Sequence, residues 1–560
     1  MDEKPWHRHY DFNVPTSLRI PHMLAQDILD IPANAYPNKA AVSFLGSEIS
    51  FKELRRLSLR MANALGGLGI RKGDRVGLHL PNSPQFLIAH FATLYLGAIV
   101  VGFNPMYHPA EIQGTAEDTG VKVIFTCDET LETISQLCEK VDIEHVIVTR
   151  LTDFVIGQKT STAKDFDLPP GWRHFSELLA DHPQARLPRV EIDVQDPAVI
   201  IFTGGTTGTP KGAVTSHHNV VAAALTAFHW ALPKLQYIPF EKRTVMAIAP
   251  YFHSNGCIMG NYMALINCAT QIVVPRFQID EFMDTISKFE QITFFSAFPT
   301  LINAMINHPK AEEIDLGGKL RLLGAGGQAC PKELIHQAKE IGVSIFEGYG
   351  MTEAAGCGTI NPILGLKKIG SVGVPLPNSD IKIVDLDNGL DEVPIGESGE
   401  IIIKSPMVMK EYWGKPEETA EQLRGGWLYS GDIGLKDEDH FFYIVDRKKD
   451  MIIASGYNIY PREIDEVLYQ HPKVKEAIAV GIPDPYRGET VKAYVVLKPG
   501  QTATDQEIIA FSREKLAAYK APKMVEFRDS LPQSSVGKIV RKMLREEEEA
   551  KLKDEAAGKE

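Results

Sequence analysis

The first two hundred residues alternate short apolar runs with longer segments in which apolar residues recur every three or four positions. The runs AAVSFL, RVGLHL, AIVVGF, VKVIFT and HVIVT predict strands, and FKELRRLSLRMANALGGLGI predicts an amphipathic helix. A second set, TVMAIAP, TQIVVP, ITFFSAF, LRLLGAGG and VSIFEGYG, ends in glycine, proline or small polar residues. The pattern predicts a multi-layer α/β fold with parallel strands, whose ligands lie where the strands end.

The last third of the chain has a different pattern. Short runs with turn signals, in SDIKIVD, GESGEIIIKSP and HFFYIVDRKKD, predict a small β-rich subdomain. After the charged segment DRKKD, helical and strand patterns alternate over about 110 residues, a usual size for a compact α+β domain. The charged junction is therefore expected to be a linker or hinge. The acidic end, REEEEAKLKDEAAGKE, predicts a solvated helix end or a disordered tail.

One apolar run, from Gln85 to Phe103, is long enough to raise the question of a membrane span. His90 and Gly97 interrupt it, and PNSP just before it is a helix start signal. We predict a buried helix followed by a strand, and no membrane span.

Composition narrows the function classes. The chain has 560 residues, 44% of them hydrophobic and 23% charged, which is typical of a folded multidomain enzyme. Its net charge of -13 argues against a nucleic-acid partner. Six cysteines without a C-x-x-C pair indicate reduced packing residues, and the N-terminus lacks an apolar signal segment. We expect a cytoplasmic enzyme.

The stretch TGGTTGTPKG, residues 203 to 212, follows the apolar run AVIIF. Glycines let backbone N–H groups approach phosphate oxygens, so the stretch predicts a phosphate-binding loop. It is not a Walker A loop, because no serine or threonine follows Lys211. A flexible surface loop is the alternative interpretation.

Four further stretches follow in order: APYFHSNG (249–256), EGYGMTEA (347–354), YSGDIG (429–434) and SSVGKIVRKML (534–544). Together the five resemble the acyl-adenylate-forming, or AMP-binding, superfamily, and above all its fatty acyl-CoA synthetase branch. The resemblance implies a large N-terminal domain over residues 1–448 that binds ATP and the acid. It also implies a hinge at Lys449 and a small mobile C-terminal domain over 450–560.

The resemblance implies ATP, Mg²⁺ and coenzyme A as the small molecules used. It places Lys211 on the β- and γ-phosphates, Thr352 on the α-phosphate and Glu353 on Mg²⁺, although a helix-capping role is the rival for Glu353. Asp432 would bind the ribose, with Arg447 beside it, and Tyr349 would stack on adenine. The other implied nucleotide-site residues are Thr203, Gly204, Gly205, Thr206, Thr207, Gly208, Gly326, Gly327, Gln328, Glu347, Gly348, Gly350, Met351 and Ile444.

Lys538 is implied as the catalytic lysine of the first half-reaction, contacting the acid's carboxylate and the α-phosphate. A solvated surface lysine is the alternative. A swing of the C-terminal domain would then bring SGYNIYP (455–461) to the acyl-adenylate, with Gly456 and Tyr457 beside the thiol's path.

The acid is expected to lie near His253, Ser254, Asn255, Gly256 and Phe298. Amino-acid-activating relatives carry an aspartate where this chain has His253, and without it an α-ammonium would stay unpaired in an apolar pocket. We therefore predict a medium- or long-chain fatty acid, with aryl or alicyclic acids as alternatives. For His253 itself, a packed core histidine is the rival interpretation.

Three other functions stay open from the sequence. They are a fatty acyl-AMP ligase that loads a carrier protein, a luciferase-like oxygenase and a non-catalytic nucleotide-binding protein. Intact Lys211, Glu353, Asp432 and Lys538 argue against the last. A homodimer and a peripheral membrane contact are also left open.

Overall fold

The structure is a computed structural model that describes residues 4–158, 160–203, 210–328, 330–454, 457–484, 486–533 and 539–557, without the side chains of 163 and 552–557. Several predicted site residues lie outside the described residues: Gly204, Gly205, Thr206, Thr207, Gly208, Gly456 and Lys538.

The described helices follow the predicted periodic segments. In the helix Phe51–Gly67, apolar side chains are buried at helical spacing, and the Ser50 hydroxyl accepts from the Glu53 N–H at 3.2 Å to cap the first turn. The α-helices are Asp27–Ala35, Phe51–Gly67, Pro84–Tyr95, Pro109–Thr119, Leu131–Cys138, Phe175–Asp181, His217–Leu235, Met263–Ile266, Ile279–Lys288, Pro299–Ile306, Leu316–Lys319, Lys332–Glu340, Pro416–Gln422, Pro461–Tyr469, Asp505–Lys515 and Arg541–Ala557.

The first sheet has eight strands with a parallel centre, whose β-branched runs are buried on both faces. Its hairpin edge is antiparallel and carries the ends of the predicted phosphate loop. In spatial order its strands are Glu411–Tyr412, Gly212–Ser216, Pro197–Phe202, Ile99–Gly102, Arg75–His79, Val123–Cys127, His145–Thr149 and Arg173–His174.

The second sheet has nine strands, and most of its central pairs are parallel. It includes Ala40–Phe44, which lies between Thr270–Val273 and Ser47–Ser50 rather than beside the strands of the first sheet. In spatial order the strands are Val374–Pro375, Thr359–Ile360, Ile345–Tyr349, Leu323–Ala325, Phe294–Ala297, Thr244–Ala247, Thr270–Val273, Ala40–Phe44 and Ser47–Ser50. The predicted layered α/β architecture is confirmed, with mixed rather than purely parallel sheets.

Two five-stranded sheets account for the later patterns. The third sheet is the predicted β-rich unit, with strands Asp380–Val384, Gly399–Lys404, Trp427–Lys436, Leu423–Arg424 and Phe442–Arg447. The fourth contains Tyr457–Ile459, Ile452–Ala454, Gly488–Leu497, Val474–Asp484 and Met524–Phe527. Helices Pro461–Tyr469 and Arg541–Ala557 contact its long strand Val474–Asp484, which gives the C-terminal region its own α+β core.

The apolar run folds as predicted. The helix Pro84–Tyr95 is capped by the Ser83 hydroxyl, Gly97 takes a positive φ of 67°, and the strand Ile99–Gly102 follows. Within the described part of the chain, no helix combines the length and apolar character that crossing a membrane requires.

The acidic end is more than a solvated tail. Its described part belongs to the helix Arg541–Ala557, where Glu548 is buried and its carboxylate lies 2.9 Å from the Lys492 amine. The helix is therefore anchored to the fourth sheet by an ion pair that the sequence pattern did not predict.

Candidate active site

A single cavity of about 2060 Å³ collects most of the predicted site residues. It lies where strands of the second sheet end and where the third and fourth sheets approach them, as expected for ligand sites in α/β folds. The predicted residues that line it are Thr203, Lys211, His253, Ser254, Asn255, Gly326, Gly327, Gln328, Glu347, Gly348, Tyr349, Gly350, Met351, Thr352, Glu353, Asp432, Ile444, Arg447 and Lys449.

Of the predicted residues that the structure describes, three do not line the cavity. Gly256 packs against the preceding backbone, where a Cβ would lie 2.0 Å from the carbonyl oxygen of Pro250. Phe298 is buried, with its ring edge-on to His253. Tyr457 is more than half exposed and stacks on Tyr519 at 4.7 Å between ring centroids. The first two are supporting residues, and the third is outside the cavity in this structure.

The ends of the predicted phosphate loop are held by a hairpin. Phe202 lies opposite Gly212 in the antiparallel pair, and the Thr203 N–H donates to the Lys211 carbonyl at 2.9 Å. Gly212 leaves no space for a side chain, because a Cβ there would lie 2.7 Å from Ile200. The hairpin therefore places Thr203 and Lys211 side by side at the cavity wall.

Tyr412 connects the two charged groups of the predicted phosphate site. Its hydroxyl donates to the Glu353 carboxylate at 2.7 Å, and the Lys211 amine lies 5.1 Å from its ring centroid. Pairing of the short strand Glu411–Tyr412 with Gly212–Ser216 brings it there. Sequence reasoning missed Tyr412, since a two-residue strand has no periodic signal.

Glu353 is buried at the cavity wall. It lies in the single 3₁₀ turn Thr352–Ala354, and its carboxylate binds the Tyr412 hydroxyl rather than capping a helix. Burial raises the pKa of Glu353, and the hydrogen bond from Tyr412 opposes that shift. The helix-cap interpretation is therefore wrong.

A second carboxylate, that of Asp432, also lines the cavity. The Tyr349 hydroxyl donates to it at 2.6 Å, and the Arg447 guanidinium lies 3.3 Å away on the neighbouring strand. Burial raises the pKa of Asp432, and the charge of Arg447 opposes the shift. The Asp432 carboxylate therefore joins a tyrosine hydroxyl and a guanidinium at the cavity wall.

The glycine-rich strand ends allow the backbone to approach closely. A Cβ on Gly350 would lie 2.1 Å from the carbonyl oxygen of Gly356, so only glycine fits there. Beside it, the buried Glu347 carboxylate accepts from the Gly370 N–H at 2.9 Å. Burial raises the pKa of Glu347 to about 7.

The motif predicted to hold the acid forms a turn before a π-helix, Gly256–Tyr262. The Asn255 N–H donates to His253 Nδ1 at 3.3 Å, and the Ser296 hydroxyl donates to the Asn255 side-chain oxygen at 3.1 Å. His253 is partly exposed and lines the cavity, so a fully packed core histidine is the wrong interpretation. π-Helical turns are frequent at functional sites.

Beyond this motif the cavity has an apolar inner end. Its wall residues there are each less than 5% exposed: Ala227, Trp230, Ala231, Met263 and Ile363. The first three come from the helix His217–Leu235. Sequence reasoning missed them, because a cavity wall on a buried helix has the same pattern as ordinary core.

The C-terminal region closes another side of the cavity. Gln533 and Ile539 line it and form an antiparallel bridge, and the Val540 N–H donates to the Pro532 carbonyl at 2.9 Å. Gln533 and Ile539 are the described neighbours of 534–538, the residues outside the description that include Lys538. Burial lowers the pKa of Lys449, which lines the same cavity.

The comparisons with known proteins agree with this geometry. A family described as "AMP-binding enzyme" matches residues 29–413, and "AMP-binding enzyme C-terminal domain" matches residues 463–538. The chain belongs to the AMP-binding enzyme family. The predicted class, an AMP-forming acid–thiol ligase that uses ATP and coenzyme A, is thereby confirmed.

Members of the AMP-binding family resemble the chain along nearly its whole length. It is 39% identical to a long-chain-fatty-acid–CoA ligase of Bacillus subtilis, covering 98% of this chain and 99% of the relative. It is 34% identical to a feruloyl-CoA synthase of Amycolatopsis, covering 91% and 96%. Among solved structures, the anthranilate CoA ligase AuaEII in complex with anthranoyl-AMP matches with a TM-score of 0.83 and 29% identity, covering 95% and 98%.

The Glu353 carboxylate has the chemistry expected of a Mg²⁺ ligand that is shared with phosphate oxygens. Among the described residues, no three His, Cys, Asp or Glu side chains form a metal-binding group. Mg²⁺ commonly takes one or two carboxylates and completes its shell with phosphate oxygens and water. Glu353, at the wall beside the phosphate loop, fits that mode of binding.

Proposed function

We propose that the chain is an ATP-dependent fatty acyl-CoA ligase that acts on medium- or long-chain fatty acids. A fatty acid and ATP give acyl-AMP and pyrophosphate, and coenzyme A then gives acyl-CoA and AMP. The name of the Bacillus subtilis relative supports the substrate class.

One observation carries the proposal: the polar phosphate end and the apolar inner end belong to the same cavity. A carboxylate at His253 would have charged and polar groups on one side and the apolar wall around Trp230 on the other. Burial of alkyl carbons contributes roughly 0.8 kcal/mol per methylene. An acid with a long alkyl chain fits this division better than a second polar group would.

In the first step, a carboxylate oxygen of the acid attacks the α-phosphorus and pyrophosphate leaves. Lys211 and the loop 203–211 would hold the β- and γ-phosphates, and Thr352 the α-phosphate. Lys538 would offset the negative charge that gathers as the bond forms. Mg²⁺, held by Glu353 and phosphate oxygens, would supply charge neutralisation for the leaving pyrophosphate.

The nucleoside would bind across the cavity. The Asp432 carboxylate can accept from both ribose hydroxyls, and the positive charge of Arg447 beside it favours its ionised form. Tyr349 would lie against adenine, its hydroxyl tied to Asp432. These contacts orient the α-phosphate toward the acid without taking part in bond formation.

In the second step, the thiol of coenzyme A attacks the acyl carbonyl carbon and AMP leaves. Tyr457, predicted beside the thiol's path, lies outside the cavity here. A rotation of the C-terminal domain about Lys449 would place the Lys538 segment at the cavity for the first step. The same rotation would bring the Gly456–Tyr457 segment there for the second step. A cytoplasmic location remains a prediction, and the oligomeric state stays open.

The test is pyrophosphate release from Mg²⁺·ATP with fatty, aryl and amino acids, with and without coenzyme A, the acyl product being followed by mass spectrometry. We expect acyl-CoA from fatty acids. A preference for an aryl acid would show that the substrate is an aryl acid rather than a fatty acid. Acyl-AMP that persists in the presence of coenzyme A would indicate that a carrier protein is the acceptor. No pyrophosphate with any acid would contradict the enzyme proposal.

A further inference from the structure

Residues 4–18, which we call the N-terminal arm, precede the part of the chain matched by the family and cross its surface. Lys4 pairs with Asp380 at 3.0 Å and Arg8 with Asp439 at 2.8 Å. At the other end, Leu18 exchanges two hydrogen bonds with the Asn378 side chain. The arm is therefore fixed at both ends to the third-sheet region.

Between these anchors, Tyr10 packs against a wall residue of the cavity. Its ring meets the Trp230 indole edge-on, 5.0 Å between centroids at 87°, and its hydroxyl donates to the Pro375 carbonyl at 2.6 Å. On another side, the indole N–H donates to the Asn361 carbonyl at 3.1 Å. Trp230 is 2% exposed and lines the inner end, so Tyr10 lies directly behind that wall.

The next arm residue holds a second wall residue. The Asp11 carboxylate accepts from the backbone N–H groups of Ile363, Leu364 and Gly365 at 2.7, 3.0 and 2.7 Å. Ile363 lines the inner end and is 4% exposed. Three charge-assisted bonds to consecutive N–H groups hold this loop in one conformation.

We propose that the N-terminal arm sets the length of acyl chain the enzyme accepts, by bracing the inner end of the cavity through Tyr10 behind Trp230 and Asp11 beneath Ile363. Tyr10 and Asp11 are positioning residues, and Trp230 is the specificity-determining residue that meets the end of the acyl chain. The inference rests on the proposed fatty acid substrate.

The physical basis is that a braced wall cannot yield to a longer chain. Well-packed interiors leave few voids, and Tyr10 and Asn361 block movement of the indole away from the cavity on the two sides that they hold. Removal of the Tyr10 ring would leave a void behind Trp230, and the indole could move into it. The enzyme would then accept acids that are longer by the number of carbons that fit into the vacated volume.

The test is the profile of kcat/KM against fatty acid length for the full chain and its Trp230→Ala, Tyr10→Ala and Tyr10→Phe variants. For Trp230→Ala we expect kcat/KM for an acid two carbons beyond the wild-type optimum, relative to the optimum, to rise about tenfold. Tyr10→Ala should shift the ratio the same way by a smaller factor. Tyr10→Phe, which keeps the ring, should restore the wild-type profile.

A purely structural role would lower kcat/KM equally for all lengths, and that result with Tyr10→Ala would overturn the inference. Phe12→Ala is the matched control, since Phe12 lies in the same arm with its ring 89% exposed. Should Trp230→Ala not fold by its melting curve, Trp230→Phe tests the same wall. If the wild-type enzyme makes fatty acyl-CoA but the Tyr10→Ala profile is not shifted, only the role of the arm is refuted. No fatty acyl-CoA from the wild type would overturn the proposed function and the inference with it.

Discussion

The two ends of the cavity are built in different ways. At the phosphate end, charged and polar side chains lie on strand ends and turns, and Tyr412 contacts both Glu353 and Lys211. At the inner end, apolar side chains such as Ala231 belong to the walls of the core itself. Changes at the first end should therefore affect catalysis with every acid, whereas changes at the second should affect only the choice of acid.

The largest effect is expected from Lys538→Ala. Removal of the cation proposed to face the acid's carboxylate should lower acyl-AMP formation by a factor of about 10² to 10³, as losses of single charge-stabilising groups do. Thioester formation from supplied acyl-AMP and coenzyme A should be retained. Pyrophosphate release and thioester formation are assayed separately, with Lys515→Ala as a control lysine of the same region. Equal loss of both half-reactions would contradict the assigned role.

The next effect concerns stability. Glu347 has its pKa raised from 4.5 to about 7 by burial, so the folded chain binds a proton in that window that the unfolded chain has released. The free energy of unfolding therefore falls as pH rises through the window, by an amount of order 3 kcal/mol. Glu347→Gln lacks this dependence.

The measurement is the melting temperature of wild type and Glu347→Gln from pH 4.5 to 8. Other buried carboxylates contribute to both proteins, so the difference between the two isolates Glu347. As pH rises, we expect the melting temperature of the wild type to fall by several degrees relative to that of the variant. A difference that does not vary with pH would mean that Glu347 titrates normally.

A smaller effect is expected from Tyr412→Phe, which removes the hydroxyl bound to Glu353 and keeps the ring beside Lys211. Removal of a hydrogen-bond donor from a buried carboxylate costs about 1–3 kcal/mol. This corresponds to roughly a 10- to 100-fold loss in kcat/KM for Mg²⁺·ATP. Binding of Mn²⁺·ATP, followed by electron paramagnetic resonance, should weaken in parallel. Tyr95→Phe is the matched control, because its hydroxyl also donates to a carboxylate, that of Asp30, away from the cavity. Similar losses of kcat/KM in the two variants would contradict the assignment of Tyr412 to the phosphate site.

The smallest effect is expected from Ala231→Val at the inner end. Two added methyl groups should lower kcat/KM for the longest accepted acids by a factor of several to ten and leave the KM for ATP unchanged. Ala224→Val serves as control, since Ala224 is buried on the same helix and does not line the cavity. A raised KM for ATP would show that the two ends are not separable.

The difference between the ends also explains what the sequence could predict. Strands were readable because apolar runs end at glycines, and the phosphate-end residues lie within recognisable motifs such as EGYGMTEA. The pairing of Ala40–Phe44 with Thr270–Val273 could not be predicted, because it joins segments that lie some two hundred residues apart in the sequence. Local patterns determine elements, and the choice of partners depends on tertiary packing.

The same limit applies to the site. Trp230 is indistinguishable by pattern from a core residue of its helix, and Tyr10 meets it only through the fold. Gly256, which belongs to the motif APYFHSNG, and Phe298, which belongs to none of the motifs, were both expected in the acid site, but both support the site from behind. A motif identifies the backbone segment, and the side chains that face the cavity depend on the turn that follows.

The central claim is that a fatty acid's carboxylate is joined to AMP in this cavity. The most direct test supplies a long-chain fatty acid labelled with ¹⁸O in both carboxylate oxygens, together with Mg²⁺·ATP and coenzyme A, and measures the mass of the nucleotide product. Attack of a carboxylate oxygen on the α-phosphorus predicts AMP that carries one ¹⁸O, alongside acyl-CoA that retains the other. Unlabelled AMP, or ADP in its place, would contradict the account.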